Sequence, residues 1–160
     1  MNKAVLLLGS NLGDSQSLFQ QTIVLLSDRV GVIELRSFLY ESPPWGFEHE
    51  NDFYNQVLVL QTALAPEQIL RECLQIETDF CRERKGQGYA ARTIDVDLLF
   101  VGDEVIESDV LILPHPRLQL RRFTLLPLVE LMPDFIHPVL QKKMRVLLQE
   151  CEDQSEVKKV

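Results

Sequence analysis

The chain has 160 residues, 46% of them hydrophobic, which is enough to bury one full core and too many for a disordered chain. Acidic residues outnumber basic ones by 24 to 16, and a net charge of -8 argues against a general nucleic-acid binder, which needs a basic face to neutralise phosphates. Cys73, Cys81 and Cys151 form neither a disulfide framework nor a zinc pattern, and no apolar run approaches the roughly 20 residues that cross a bilayer, so a soluble, cytoplasmic, single-domain chain is expected.

Ala4–Leu8 (AVLLL) reads as a buried strand and Gly9–Asp14 (GSNLGD) as a turn. Asp14 or Ser15 can cap the next helix, where Phe19, Ile23, Leu26 and Val30 recur at helical spacing. Val32–Glu41 is rich in β-branched and aromatic residues and predicts a strand. Ser42–Asp52 (SPPWGFEHEND) is a loop, since two prolines and a glycine forbid regular pairing. Tyr54–Thr62 predicts a third strand. Ala65–Phe80 predicts a helix, with Pro66 at its first position, Glu67 at the positive end of its dipole and an apolar stripe of Ile69, Cys73, Ile76 and Phe80.

Arg82–Ala91 (RERKGQGYAA) reads as a polar loop, and Thr93–Val101 as a fourth strand closed by a turn at Gly102-Asp103. Glu104–Ile106 and Leu111–Leu113 suggest a short hairpin, Phe123–Leu131 a helix stopped near Pro133, and Leu140–Cys151 a last helix. The charged tail from Glu152 reads as frayed. This order is the βαββαβ series of a ferredoxin-like α+β sandwich: an antiparallel sheet with helices packed on it, extended by a C-terminal hairpin and helices.

On the fourth strand, period-two alternation turns Ile94, Val96 and Leu98 into the core and Asp95 and Asp97 together to the other face. Two carboxylates so placed repel unless a cation or proton relieves them. They are either a solvated strand face or a hard-oxygen site suited to Mg²⁺. Arg82, Arg84, Lys85 and Arg92 cluster just before them in an otherwise acidic chain. Arginine grips phosphate oxygens in bidentate fashion, and Gly86 and Gly88 give the loop conformational freedom. The combination favours a cationic lid over a Mg-nucleotide rather than an ordinary solvated loop.

Ser42-Pro43-Pro44-Trp45-Gly46 with Phe53-Tyr54-Asn55 offers rigid backbone groups, stacking faces and an amide, as a flat heterocycle requires, although a structural loop over core aromatics reads the same way. His115, Arg121 and Phe123 form a third and weaker group. Gly9–Gly13 is neither a Walker motif nor GxGxxG and reads as a tight strand-to-helix connection. Glu77 lies beside the apolar stripe of its helix and needs a partner, for which an arginine of the adjacent loop is the natural choice.

Taken together, GSNLGD, YESPPWG, FYNQV, the Glu77 helix, the arginine loop, ARTIDVDLLF, LPHPRLQLRRF and LLPLVEL resemble, in order from Gly9 to about Leu131, the 6-hydroxymethyl-7,8-dihydropterin pyrophosphokinases of folate biosynthesis. The resemblance implies ATP as co-substrate and two Mg²⁺ ions on Asp95 and Asp97. It implies Arg82 and Arg92 as catalytic charge neutralisers. It places Glu77, Arg84, Lys85, Tyr89, Leu98, His115 and Arg121 on the nucleotide side. Ser42, Pro43, Trp45 and Asn55 would hold the pterin, with Phe53 and Phe123 sandwiching its ring. No membrane or nucleic-acid partner is implied, and a monomer is the default. The competing readings are a regulatory ligand-binding module on the same sandwich and a metal-dependent phosphohydrolase using the same carboxylates.

Overall fold

The computed structural model of this chain describes residues 1–11, 14–43, 52–85 and 94–160, without the side chains of 82–85. β1 (Asn2–Ser10) is buried from Ala4 onward and forms the centre of the sheet. It pairs antiparallel with β4 (Phe53–Thr62) on one side and β5 (Asp95–Val101) on the other. β2 (Val32–Arg36) and β3 (Tyr40–Ser42) both pair with β4, so the core order β5-β1-β4 followed by the β2/β3 edge is the antiparallel ferredoxin-like arrangement.

The predicted strand over Val32–Glu41 is broken in two. Ser37 supplies the reason: its N–H donates to the Val57 carbonyl at 2.9 Å, while its hydroxyl, rather than a backbone carbonyl, receives the Val57 N–H at 3.0 Å. The ladder register is lost there, and Glu130 takes up the freed Phe38 N–H and the Tyr40 hydroxyl.

The two faces of the sheet carry separate cores. Leu6 and Leu8 of β1, Leu58 and Leu60 of β4 and Val96 of β5 meet Phe19 and Leu26 of α1 (Ser15–Arg29) and Ile69, Cys73 and Ile76 of α2 (Pro66–Lys85). Val5 and Leu7, Val57 and Val59, and Leu99 and Phe100 face the other way, onto α3 (Arg122–Leu131) and α4 (Met144–Glu150). Strand alternation thus turns one apolar sheet into the middle layer of a three-layer domain.

Several element boundaries differ from expectation. Asp14 occupies the N-cap of α1 without a side-chain hydrogen bond; its carbonyl accepts the Leu18 N–H at 3.1 Å instead. α2 runs on to Lys85, because nothing before Gly86 stops a helix, so the first four residues of the expected arginine loop are helical. The last helix begins at Met144 rather than Leu140. Ahead of it, Gln141 adopts φ 57° and the His137 ring accepts the Val139 and Leu140 N–H groups, which holds that segment in a turn. The tail is not frayed. It forms β8 (Lys158–Lys159) on the outer edge of β3, and Asp153 within it is buried. The hairpin is present as β6 (Ile106–Glu107) and β7 (Ile112–Leu113).

Candidate active site

Register places the carboxylate pair. Gly9 lies opposite Asp95 and Leu7 opposite Asp97 on the β1–β5 ladder, so these four residues share the sheet face that carries α3. Val96 and Leu98 turn into the opposite core, as alternation predicts. Asp95 is exposed and Asp97 half-buried at the end of the sheet where the apolar layer runs out.

A cavity of about 230 Å³ opens there. Its floor is Leu7, Gly9, Asp95 and Asp97; Ser42 and Pro43 enter from the end of β3, Phe53 and Asn55 from β4, Arg121 and Phe123 from the start of α3, and Ser155 from the tail. Asn55 is only 6% exposed, and its Nδ2 donates to the Leu8 carbonyl at 3.2 Å. The Arg121 guanidinium carbon lies 5.6 Å from the centre of the Phe123 ring. A Cβ on Gly9 would stand 3.0 Å from Asn55 Nδ2, so glycine is what lets the amide lie flat across the strand.

A second cavity, about 350 Å³, lies on the other side of β5. Leu70, Leu74 and Glu77 of α2, Val96, Asp97 and Leu98 of β5, residues 108–112 of the hairpin, and His115 with Pro116 line it. Asp97 lines both cavities. Its exposed lining includes Leu74, 51% exposed, and Val110, 72% exposed, and its buried lining combines Val96, Leu98 and Leu111 with the carboxylate of Glu77.

His115 is held there by its own backbone, which donates to the Leu99 carbonyl at 3.0 Å, and by Nδ1, which accepts the Arg117 N–H at 3.1 Å. Burial, then the positive charges of Arg121 and Arg117, hold its pKa below the usual histidine value. The ring is therefore neutral near pH 7, with Nε2–H left as its donor. Glu77 is 7% exposed, and its Oε2 accepts the Val96 N–H at 2.7 Å. Burial and the negative charges of Glu77, Asp97 and Glu72 push the neighbouring Cys73 thiol up to about 12, so it is an inert core residue.

The structure therefore gathers Ser42, Pro43, Phe53, Asn55, Phe123, Asp95 and Asp97 at one cavity, and Glu77, Leu98 and His115 at a neighbouring one. Arg121 lines the first cavity, and its charge reaches His115 at the second. Trp45, Tyr89 and Arg92, and the side chains of Arg82, Arg84 and Lys85, lie outside the described residues. The partner described for Glu77 is a backbone amide; the arginine expected for it belongs to that undescribed stretch. Leu7, Gly9 and Ser155 were not foreseen. A glycine ending an apolar strand is a signal of close approach to another group, but nothing in a charged tail marks Ser155.

Among the described residues no group of three or more His, Cys, Asp or Glu side chains is placed to hold a metal. A carboxylate pair nevertheless fits Mg²⁺, which binds through one or two carboxylates and completes its shell with phosphate oxygens and water. Among the described residues no helix is long and apolar enough to cross a membrane.

Residues 5–133 match the family model for 7,8-dihydro-6-hydroxymethylpterin-pyrophosphokinase. The chain is 38% identical over 138 residues to a 2-amino-4-hydroxy-6-hydroxymethyldihydropteridine pyrophosphokinase of Aquifex aeolicus, covering 86% of this chain and 85% of the relative. It is 37% identical over 131 residues to the Bacillus subtilis protein of the same name, covering 81% and 78% respectively. It is 41% identical to the Folic acid synthesis protein fol1 of Pneumocystis carinii, of which it spans only 19%. A crystal structure of an HPPK-DHPS in complex with substrates superposes with a TM-score of 0.76 over 93% of this chain; identity is 14%, the chain spans 43% of that protein, and the likeness is one of fold.

Proposed function

This chain belongs to the 7,8-dihydro-6-hydroxymethylpterin-pyrophosphokinase family, a transferase family of folate biosynthesis, and we propose that its two cavities sharing Asp97 hold the pterin and ATP side by side for pyrophosphate transfer. That shared residue carries the reading. A group-transfer site must bring donor and acceptor into contact at its charged centre, and Asp97 is where the two spaces meet.

In this reading the pterin ring lies in the first cavity between Phe53 and Phe123. Asn55 gives one Nδ2 hydrogen to Leu8, which leaves the second hydrogen and Oδ1 for the edge of the ring. Ser42, Pro43 and Trp45 complete the edge. Adenosine occupies the second cavity against Leu74 and Leu98, and neutral His115 donates through Nε2 to a phosphate or ribose oxygen. Asp95 and Asp97 hold two Mg²⁺ ions, which when bound spread the phosphate charge and align the reacting groups. The pterin hydroxymethyl oxygen attacks the β-phosphorus in line. The new O–P bond forms as the bond to the α–β bridging oxygen breaks, and AMP leaves. The hydroxyl proton passes to Asp97 or to solvent. Arg82 and Arg92 neutralise charge on the transferring group, with Arg84, Lys85 and Tyr89 over the nucleotide. We also read the protein as a cytoplasmic monomer, in keeping with its three free cysteines.

The test is to incubate the protein with Mg²⁺, ATP and 6-hydroxymethyl-7,8-dihydropterin. AMP and pterin diphosphate should appear in equal amounts. Release of ADP or free phosphate instead, or no Mg²⁺ dependence, would overturn the assignment.

A further inference from the structure

The C-terminal segment ties together two opposite walls of the first cavity. β8 pairs with β3, Lys158 opposite Glu41 and Lys159 opposite Tyr40, and the Val160 N–H donates to the Leu39 carbonyl at 2.8 Å. β3 delivers Ser42 and Pro43 to the cavity. Earlier in the same segment Asp153, only 9% exposed, accepts the Arg122 N–H on Oδ2 at 2.9 Å. Arg122 is the first residue of α3, and Arg121, at its N-cap, supplies no side-chain cap. Asp153 therefore caps this helix from thirty-one residues away. Its Oδ1 accepts the Ser155 N–H at 2.9 Å and the Ser155 hydroxyl, and Ser155 itself lines the cavity. The residues flanking the capped amide are Arg121 and Phe123, stacked on each other and facing that space.

We propose that Asp153 is a positioning residue for pterin binding: it locks the first turn of α3 so that Phe123 and Arg121 stand across from Ser42, Pro43 and Phe53, while Ser155 completes the lining between them. The inference rests on reading this cavity as the pterin site. A carboxylate that fixes a backbone amide in this way holds ring and guanidinium orientation without touching substrate. Burial alone would raise its pKa, but the hydrogen bonds from Ser155 and Arg122 and the charge of Arg122 outweigh it and keep the carboxyl below its usual range. The cap is therefore ionised wherever the enzyme works.

The experiment compares wild type with Asp153→Ala, Asp153→Asn and Ser155→Ala in the full chain. It measures kcat, KM for both substrates and, without ATP, pterin Kd from the fluorescence of the pterin. Asp153→Ala should raise pterin KM and Kd about fivefold to tenfold, the size of a lost charged cap, with ATP KM and kcat changed less than about twofold. Asp153→Asn keeps an acceptor oxygen and should recover most of that loss. Ser155→Ala keeps the Arg122 contact and should raise pterin KM about threefold, the scale of one hydrogen bond. A lower melting temperature with unchanged pterin KM, or equal rises in both KM values, would show a merely structural role and overturn the proposal. If Asp153→Ala does not fold, a wild-type pterin KM in Ser155→Ala overturns it. Wild type that binds pterin but forms no AMP sinks the transfer reaction, leaving the positioning role to the Kd comparison; wild type that binds no pterin sinks both.

Discussion

The Glu77 carboxylate on α2 accepts the backbone N–H of Val96, the residue between Asp95 and Asp97, at 2.7 Å. β5 is the edge of the sheet among the described residues, and there a helix side chain rather than a neighbouring strand takes up this amide. The contact fixes the phase of the strand at the point where both aspartates must face the cavity. Glu77→Ala leaves the buried Val96 N–H without this acceptor and should cost about 1–3 kcal/mol of stability, read by denaturant unfolding. Glu77→Gln keeps an oxygen in place and should regain most of it. Equal loss in both variants would mean that the charge, not the amide contact, matters.

Asp95 and Asp97 face the same cavity from one strand, at the end of the sheet where the apolar layer runs out, and asparagine keeps the size of each side chain. Asp95→Asn and Asp97→Asn should therefore fold with near-native melting temperatures while losing at least ~10³-fold in kcat, because a carboxylate that carries the reacting charge is worth several kcal/mol at the transition state. AMP formation at saturating substrates reads this directly. Near-wild-type turnover in both variants would remove the metal assignment.

How far the sequence carried is clearest on β5. Alternation alone put Val96 and Leu98 inward and the aspartates outward, and the register confirms it. Period-two patterning works there because each face has a single fate. It failed at Ser37, where a hydroxyl takes the place of a backbone acceptor and splits a strand whose composition is continuous. It failed again at the tail: Asp153 and Ser155 acquire their roles from Arg122, far away in the chain, and a charged segment looks the same whether it frays or caps a helix. The charge of Arg82 to Lys85 suggests a loop, but charged residues are good helix formers and the first glycine comes only at Gly86, so α2 continues through them. The pterin itself was legible only through resemblance, since stacking faces and an amide suit any flat heterocycle.

Gly9 supplies a steric test of the pterin wall. A methyl at this position would meet Asn55 Nδ2 at 3.0 Å, tighter than ordinary contact, and Asn55 is tethered to Leu8. Gly9→Ala should push the amide out of line and raise pterin KM about tenfold, with ATP KM little changed, as loss of one well-placed hydrogen bond to the ligand would. A KM effect confined to ATP would place the pterin elsewhere.

His115 makes the complementary test on the second cavity. Its Nδ1 is occupied by the Arg117 amide and its depressed pKa keeps it neutral, so the whole effect of the side chain on a nucleotide passes through Nε2–H. His115→Ala should raise ATP KM about tenfold or more, since hydrogen bonds to charged groups contribute about 1.5–3 kcal/mol, and leave pterin Kd unchanged. A shift in pterin Kd equal to that in ATP KM would contradict the division of the site into two spaces.

The acid sensitivity of the fold should trace in part to His137, which lies far from the chemistry. It is 4% exposed, packs edge-on against Phe100 at 5.7 Å between ring centres, and accepts the Val139 and Leu140 amides on Nδ1. Burial lowers its pKa from the ordinary 6.5. The sign follows from linkage: the unfolded chain binds this proton more readily, so the contribution is fully present above about pH 6.5 and is lost as pH falls through the lower folded value. Asp153 also has a depressed pKa but titrates from 3.8 downward, below that window. Stability should therefore drop as pH falls from 7 toward 5. His137→Asn offers Oδ1 as a non-titrating acceptor for the same amides and should flatten the drop. If urea unfolding of His137→Asn shows the full wild-type loss, the sensitivity belongs to His115, whose pKa is shifted in the same direction.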